Sequence, residues 1–515
     1  MIIDARSVPA GTVLETAVCI IGAGAAGITL AREFIGSRFE TLLLESGGME
    51  FAPDTQNLYQ GTSVGRPFQD PTTCRLRFFG GTTNHWAGVC APYDAVDFEA
   101  RFPYHGWPFD RAYLDPWYRR AQEVCQLGPF EYAPGQWGIT PDRLPPPFDG
   151  PAFVCKILQQ SPPTRFGPVY EPELRRSDKV KVYLHANALG FFLGDHQGEV
   201  GELAVATLSG VSFAVRARIF VIAVGGIENA RLLLLSGEPG GNGLGNEHDL
   251  VGRYFMTNLV YHGGTIALSD PNLDLDAFTG LYPQPYGGFG LTKFYYLSQV
   301  GLSAESIREL RLPNAKFFWG DPSLLNRLRG SDKTLLNDLS RAIGNVDRTA
   351  GLGGRKISFA NAAPSRSLEL TWNSAQLPNP DSRVLLSLER DPFGFRRVAI
   401  DWRVTAGDKK KAIATHRLLG AEVGRTGLGR LRSTLNTDDT TWPEDFYGDE
   451  HHMGTTRMHV DPALGVVDQN CRVHSLANLY VAGSSVFPTS GAVNPTLTIV
   501  ALALRLADHI KERLT

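Results

Sequence analysis

The sequence predicts an α/β protein of two units: a Rossmann-like unit whose parallel sheet is assembled from both ends of the chain, and an inserted unit with helices and a largely antiparallel sheet. Three observations predict it. Short apolar strands alternate with helical patterns near the N-terminus and again near the C-terminus. A glycine-rich turn joins the first strand to the first helix. From Tyr261 to Trp442, strand-like stretches alternate with Pro- and Gly-rich turns without any repeat. A chain of 515 residues exceeds what one hydrophobic core fills. The division expected is therefore 1–260 with 443–515 for the first unit and 261–442 for the second.

In chain order, Ala17 to Ile21 reads as a strand, Ile28 to Phe34 as a helix, Thr41 to Leu44 as a strand ending in Glu45, and Val180 to Leu184 as another. Ile219 to Ala223 is an apolar, β-branched strand closed by Gly225-Gly226 and followed by a helix, Ile227 to Leu235. Within the insert, Ser382 to Leu388 and Arg397 to Trp402 read as strands of its sheet. Leu479 to Ala482 is a last short strand before a helix that starts at Pro495.

The formal net charge of −3 offers no attraction to polyanions, so nucleic acid is not expected as a partner. The one compact basic run, Lys409 to Lys411, reads as the solvated first turns of a helix. Cys19, Cys74, Cys90, Cys125, Cys155 and Cys471 are scattered with no close CxxC pair, which argues against a zinc site or a disulfide framework and suits a reducing compartment. No basic-then-apolar leader is read at the N-terminus, and Leu497 to Leu504 is too short for a bilayer of ~30 Å. A cytoplasmic protein without a membrane span is the expectation.

Gly22-Ala-Gly24-Ala-Ala-Gly27 follows the first strand and opens the first helix. In that context Gly22 permits the tight turn, Gly24 lets the backbone approach a pyrophosphate, and Gly27 allows helix to pack on strand. The helix N-terminus then meets the negative charge, and Glu45 is placed for ribose hydroxyls. The motif does not distinguish FAD from NAD. A second fingerprint would be expected if NAD(P)H reduced a flavin, but Gly241-Asn-Gly243-Leu-Gly245 follows no clean strand and reads as a loop. One dinucleotide with a substrate as electron donor is the simpler reading.

Arg77-Phe-Phe-Gly-Gly-Thr-Thr-Asn-His-Trp-Ala-Gly88 suits a loop pressed against a flat ring. Together with Gly225-Gly-Ile-Glu-Asn-Ala-Arg, Pro378-Asn-Pro-Asp-Ser-Arg383, His451-His-Met-Gly-Thr-Thr-Arg-Met458 and Gly483-Ser-Ser through Asn494-Pro-Thr, it resembles the glucose-methanol-choline (GMC) oxidoreductases along most of the chain. The His-x-Met-Gly-Thr-x-Arg-Met stretch resembles the branch with pyranose oxidases, bacterial sugar dehydrogenases and gluconate or fructose dehydrogenase flavoprotein subunits. The resemblance implies a p-hydroxybenzoate hydroxylase-like architecture and FAD held by Gly22, Gly24, Ala25, Gly27, Glu45, Ser46, Gly81, Thr82, Asn84, His85, Ala87, Ala188, Gly483, Ser484, Pro495 and Thr496.

It also implies a catalytic pair, His451 and Asn494, oxidising a CH–OH group to a carbonyl by hydride transfer to flavin N5. A neutral histidine is a fitting base for the hydroxyl proton, and an asparagine can hold the same hydroxyl. His451 is preferred to the adjacent His452. Asn494-Pro495 reads as N-cap and first residue of the last helix, whose N-terminus would stabilise negative charge on the reduced flavin. In some relatives a histidine at the place of His85 carries the flavin covalently; that bond is possible here and not favoured. His451, His452 and His459 lack the companions of a metal site, so no metal is expected. Ala186-Asn-Ala188 resembles the family's adenine-contacting segment. A sugar, glycoside or other polyol is the substrate expected, with oxygen, a quinone or a redox protein as acceptor. A flavin-containing lyase and an electron-transfer subunit of a multi-component dehydrogenase are the alternatives.

Overall fold

The computed structural model describes residues 1–101, 106–137, 150–162, 164–194, 196, 198–238, 240–272, 280–283, 295–320, 357–358, 367–437 and 441–515. Parts of the inserted span, 321–356 among them, lie outside the described residues. The first sheet has eight strands in the order Ile2–Asp4, Val180–Leu184, Thr41–Leu44, Val13–Ile21, Ser212–Ile222, Val200–Ala206 and Asn187–Leu193, with Leu479–Val481 also paired to Ser212–Ile222. Pairings are parallel except at the Val200–Ala206 and Asn187–Leu193 hairpin. The strand Ser212–Ile222 is divided in its pairing. Its start meets Val200–Ala206, while Phe220, Val221 and Ile222 lie beside Leu479, Tyr480 and Val481.

Apolar runs account for the buried middle of this sheet: Val18, Cys19, Ile20, Phe220, Val221, Leu479 and Val481 are fully buried, as parallel strands covered on both faces should be. The first strand begins earlier than the apolar run suggested, at Val13, because its leading residues alternate exposed and half-buried and pair with Ala214 to Ala217. The first helix runs Ala25–Glu33 with Gly24 as its N-cap, and the later one, Gly225–Leu234, starts on the glycine pair itself. Gly241 to Gly245 is a loop. The last helix is Thr496–Leu514, and Pro495, not Asn494, is its N-cap. Among the described residues no helix is long and apolar enough to cross a membrane, and all six cysteines are free and buried.

The second sheet has ten strands. Its path runs Ile357–Ser358, Gly280–Pro283, Tyr295–Leu302, Ala315–Gly320, Ser367–Ala375, Asn258–Leu268 and Gly429–Ser433, all antiparallel where they pair. Phe153–Gln160 adds to Tyr295–Leu302, Val89–Cys90 to Phe153–Gln160, and Tyr447–Gly448 to Asn258–Leu268, which makes ten among the described residues. Two segments from the 1–260 span therefore sit in the second sheet, and a division by chain position does not reproduce the division by sheets. Arg383–Arg390 and Arg396–Asp401 are strands, yet they leave this sheet: they form a hairpin with Gly61–Ser63 in a separate three-stranded sheet.

One face of the second sheet is an aromatic core. Tyr261, Phe317 and Trp372 pack there under the helix Ala406–Arg425, which presents His416. His416 hydrogen-bonds Ser433 Oγ at 2.8 Å and Tyr261 Oη at 3.1 Å, and burial pushes its pKa down to about 3, so it is a neutral core histidine. Thr405 and Asp408 form a capping box at the start of this helix. Lys409 corrects the reading of a solvated basic turn. It is fully buried, donates to the Thr441 carbonyl and lies over the Trp442 ring, whereas Lys410 is exposed.

A buried ion network ties the two sheets' supports together. Glu228 meets Arg75 at 3.0 Å, Arg231 at 3.3 Å and Arg77 at 3.7 Å, and Arg231 reaches Asp391 of the hairpin at 2.6 Å. Burial opposes ionisation of Glu228, but the arginines outweigh it and bring its pKa down to about 2, against an ordinary 4.5. Glu228→Gln removes the carboxylate that Arg75 and Arg77 meet and leaves Arg231 with Asp391 alone, and the expected loss is about 3–5 kcal/mol at neutral pH. Because the folded pKa is depressed, Glu228's stabilisation is complete above 4.5 and fades as pH falls toward about 2. The difference in Tm between wild type and variant should shrink across that window; a constant difference would refute the assignment.

Candidate active site

Three parallel strands of the first sheet, Val13–Ile21, Ser212–Ile222 and Leu479–Val481, end side by side. Their C-terminal ends open onto one cavity of about 390 Å³, bordered by Gly22, Val224 and Gly483. Ligands of open parallel sheets bind at this edge. Gly22 has φ +101°, which glycine alone adopts without strain, and donates from its N–H to the Leu44 carbonyl at 2.7 Å. A Cβ on Gly27 would sit 1.8 Å from the Gly22 carbonyl oxygen, whereas one on Gly24 would project into open space. Gly27 thus does not line the cavity. It lets the turn fold back so that Gly24 and Ala25 do.

Glu45 lines the same end but is already engaged: its two oxygens accept from Ala23 N at 2.9 Å and Gly47 N at 2.8 Å. It clamps the glycine turn while each oxygen keeps a lone pair for a hydroxyl. Burial raises its pKa, against the lowering effect of those bonds and of Arg77. Ser46 donates to Asn187 Oδ1 and accepts from Arg77 Nε, both at 2.6 Å, placing Ala188 on the wall beside them.

Gly81, which packs against the glycine turn with its Cβ position 3.0 Å from Gly24 Cα, lines the cavity together with Thr82, His85 and Ala87. Asn84 does not. Its amide donates to the Phe79 and Gly81 carbonyls, both at 3.0 Å, and shapes the loop from behind. Ser484 borders the cavity and donates to the His452 carbonyl at 2.6 Å. Asn494, Pro495 and Thr496 close the wall at the start of the last helix. Pro495 as N-cap leaves Asn494 one residue outside, and its amide makes no hydrogen bond to the described residues.

His451 and His452 both line the cavity and differ in their partners. His452 is fixed by packing, stacked on Phe255, edge-on to Phe68, with Nε2 3.7 Å from Cys74 Sγ. His451 Nδ1 lies 2.8 Å from Asn258 Oδ1 and 3.3 Å from Asp449 Oδ2. Asn258 Nδ2 donates to the Gly491 carbonyl at 2.8 Å, so its oxygen faces the imidazole. Nδ1 therefore carries the proton, and Nε2 presents a lone pair. Burial lowers the His451 pKa, with Asp449 raising it and Lys316 lowering it further.

Sequence reasoning missed Asn258, 193 residues from its partner, which no local pattern reveals. Asp449 stands two residues before His451 and was open to notice. It also missed that Arg75, Arg77, Glu228 and Arg231 border the cavity, although Glu228 and Arg231 belong to a quoted motif.

The glycine cradle, the helix N-terminus, the clamped carboxylate and a cavity running from Glu45 to His451 fit FAD, and they define a dinucleotide-dependent enzyme. Residues 378–503 match the family model described as GMC oxidoreductase. The chain is 25% identical to the fructose dehydrogenase large subunit of Gluconobacter japonicus, over 96% of this chain and 98% of that one. It is 28% identical to 6'''-hydroxyparomomycin C oxidase of Streptomyces lividus, over 96% and 91% respectively. Its fold is similar to that of pyridoxine 4-oxidase from Mesorbium loti, with a TM-score of 0.58 at 17% identity, covering 96% of this chain and 99% of the other. The chain is thus similar to the GMC oxidoreductases, and it is an FAD-dependent oxidoreductase acting on CH–OH donors.

Gly27→Ala should displace the Gly22 turn by the overlap described. We expect purified variant protein to carry at least tenfold less FAD per chain than wild type, measured by absorbance after extraction; stoichiometric FAD in the variant would refute the role of that contact.

Proposed function

We propose that this enzyme oxidises a hydroxyl-bearing carbon of a sugar, glycoside or polyol to a carbonyl, with His451 as base and Asn494 as the second contact to the reacting hydroxyl. The observation that carries the proposal is the tautomer imposed by Asn258 and Asp449, which aims a basic Nε2 into the cavity bordered by Asn494. Bound FAD supplies the hydride acceptor. The chain's own residues do the rest. His451 Nε2 takes the hydroxyl proton as the C–H bond is lost, and the Asn494 amide donates to the same oxygen. Burial keeps His451 neutral, the form able to accept a proton, while Asp449 offsets the charge it gains. The first-turn N–H groups of Thr496–Leu514 favour negative charge at this end of the cavity.

FAD would be cradled by Gly22, Gly24 and Ala25, with Glu45 and Ser46 beside its ribose, Ala188 at the adenine, and Gly81, Thr82, His85, Ala87, Gly483, Ser484, Pro495 and Thr496 along the remainder. Gly27 and Asn84 act through the shape of their loops. The kind of substrate rests on two relatives named for fructose and for a hydroxyparomomycin. Oxygen, a quinone or a redox protein as acceptor is read out by turnover with each in turn. Acid denaturation is expected to release all the flavin; colour retained in the precipitate would establish a bond at His85.

Anaerobic titration with sugars, glycosides and simple alcohols tests the reading. A sugar should bleach the flavin absorbance, and His451→Ala should slow bleaching by about 10²–10⁴-fold. Wild-type FAD that no alcohol reduces would overturn the proposal in favour of a lyase. Because burial lowers the His451 pKa, the acidic limb of the reduction rate should lie below pH 6.5. Asp449→Ala removes a group that raises this pKa, so the limb should move to still lower pH. Movement toward higher pH would show that Asp449 does not face the base.

A further inference from the structure

The second sheet has a polar face opposite its aromatic core. Asn258, which orients His451, shares that face with Asn373 and Lys316, since Val260 pairs with Asn373 and Asn373 with Lys316. Gly301 pairs with Lys316, and Gln299, two residues earlier, lies diagonally beside it on the same face. Gln299, Lys316 and Asn373 are 3%, 1% and 6% exposed. Buried polar groups are ordinarily hydrogen-bonded, and leaving one unpaired is costly. Yet Gln299 Oε1 and Asn373 Oδ1 have no partner. Lys316 Nζ lies over the Phe318 ring, 5.2 Å from its centroid. Burial lowers its pKa to about 7, while Asp449 and Asp94 act to raise it.

We infer that Gln299, Lys316 and Asn373 form a recognition patch for hydroxyl groups of a neutral polyhydroxylated substrate, remote from the carbon that reacts at His451. The inference rests on the function proposed above and adds the residues that select the substrate. Two unpaired amide oxygens on the strands that flank a lysine ammonium match hydroxyls, each of which donates and accepts. An anionic substrate would meet the carboxylates of Asp449 and Asp94, whose charges already act on Lys316. Strand geometry puts the backbone of Lys316 about 12 Å from that of Asn258, across two strand spacings and one two-residue step. A substrate that reaches both ends must therefore be longer than a small alcohol, as a sugar ring with a further ring or side chain is.

The test is anaerobic titration of wild type, Lys316→Met and Asn373→Ser with a polyol substrate and a series of its single-deoxy analogues. In wild type at least one deoxy analogue should bind more than tenfold more weakly than its parent, because a site built to bond a hydroxyl rejects a molecule lacking it. In the variants the parent should weaken to the level of that analogue, so that the ratio collapses toward one. Replacing this buried ammonium by an apolar side chain of similar length should leave Tm unchanged or raise it by about 1–3 °C. Variants that keep the wild-type ratio overturn the patch alone. Lys316→Met that loses Tm or FAD assigns the lysine to structure and overturns its part. Wild type reduced by no polyol overturns the proposed function, and this inference with it.

Discussion

The structure depends on the strand Ser212–Ile222 lying between two segments from opposite ends of the chain. Its register with Val13–Ile21 and with Leu479–Val481 sets Ile21, Ile222 and Val481 level. Gly22, Val224 and Gly483, which border the cavity, hang from those three strand ends. A one-residue slip would reverse the faces of a strand and turn its apolar side chains out of the core. Asn229 reinforces the alignment: its Oδ1 accepts from Val224 N at 2.8 Å and its Nδ2 donates to the Ala482 carbonyl at 3.0 Å, joining the loops that follow two of the strands.

The catalytic end depends on a different kind of support. His451 lies on a connection between sheets, so its position comes from bonds made across chain distance. Asp449 N donates to the Asn258 carbonyl at 2.9 Å, drawing the segment before the histidine against the edge of the second sheet. Thr455 and Thr456 tie the segment after it to Gly226 and Ser485 of the first sheet's loops. The imidazole is thus held by both sheets, which makes its aim a property of how they meet.

What could be read in advance follows the range of the physics involved. Thr41–Leu44 and Val180–Leu184 matched residue for residue, because short runs of mostly apolar residues bounded by polar ones carry their own signal. Gly22, Gly24 and Gly27 were legible because one turn needs all three. Val13 to Thr16 escaped, since half-exposed strand residues carry no such signal. The hairpin of Arg383–Arg390 and Arg396–Asp401 was seen as strands but assigned to the wrong sheet, because pairing with Gly61–Ser63 is decided more than 300 residues away. Lys409 looked solvated beside Lys410 and Lys411 until the Thr441 carbonyl and Trp442 came to cover it. Gln299, Lys316 and Asn373 stand on three strands, and only the sheet makes them neighbours.

Placing Leu479–Val481 inside the sheet has a consequence for how the protein is made. Ribosomal synthesis proceeds from the N-terminus, so the Gly22 turn emerges long before the strand and helix that complete its cavity. Contacts closed over such a span form late and pass through partly structured states. Until Leu479–Val481 and Thr496–Leu514 have left the ribosome's exit tunnel, the nascent chain holds the Gly22 turn without the Asn494 wall. Closure of the cavity therefore waits for these late segments, and a product truncated before Asn494 lacks the wall that completes it.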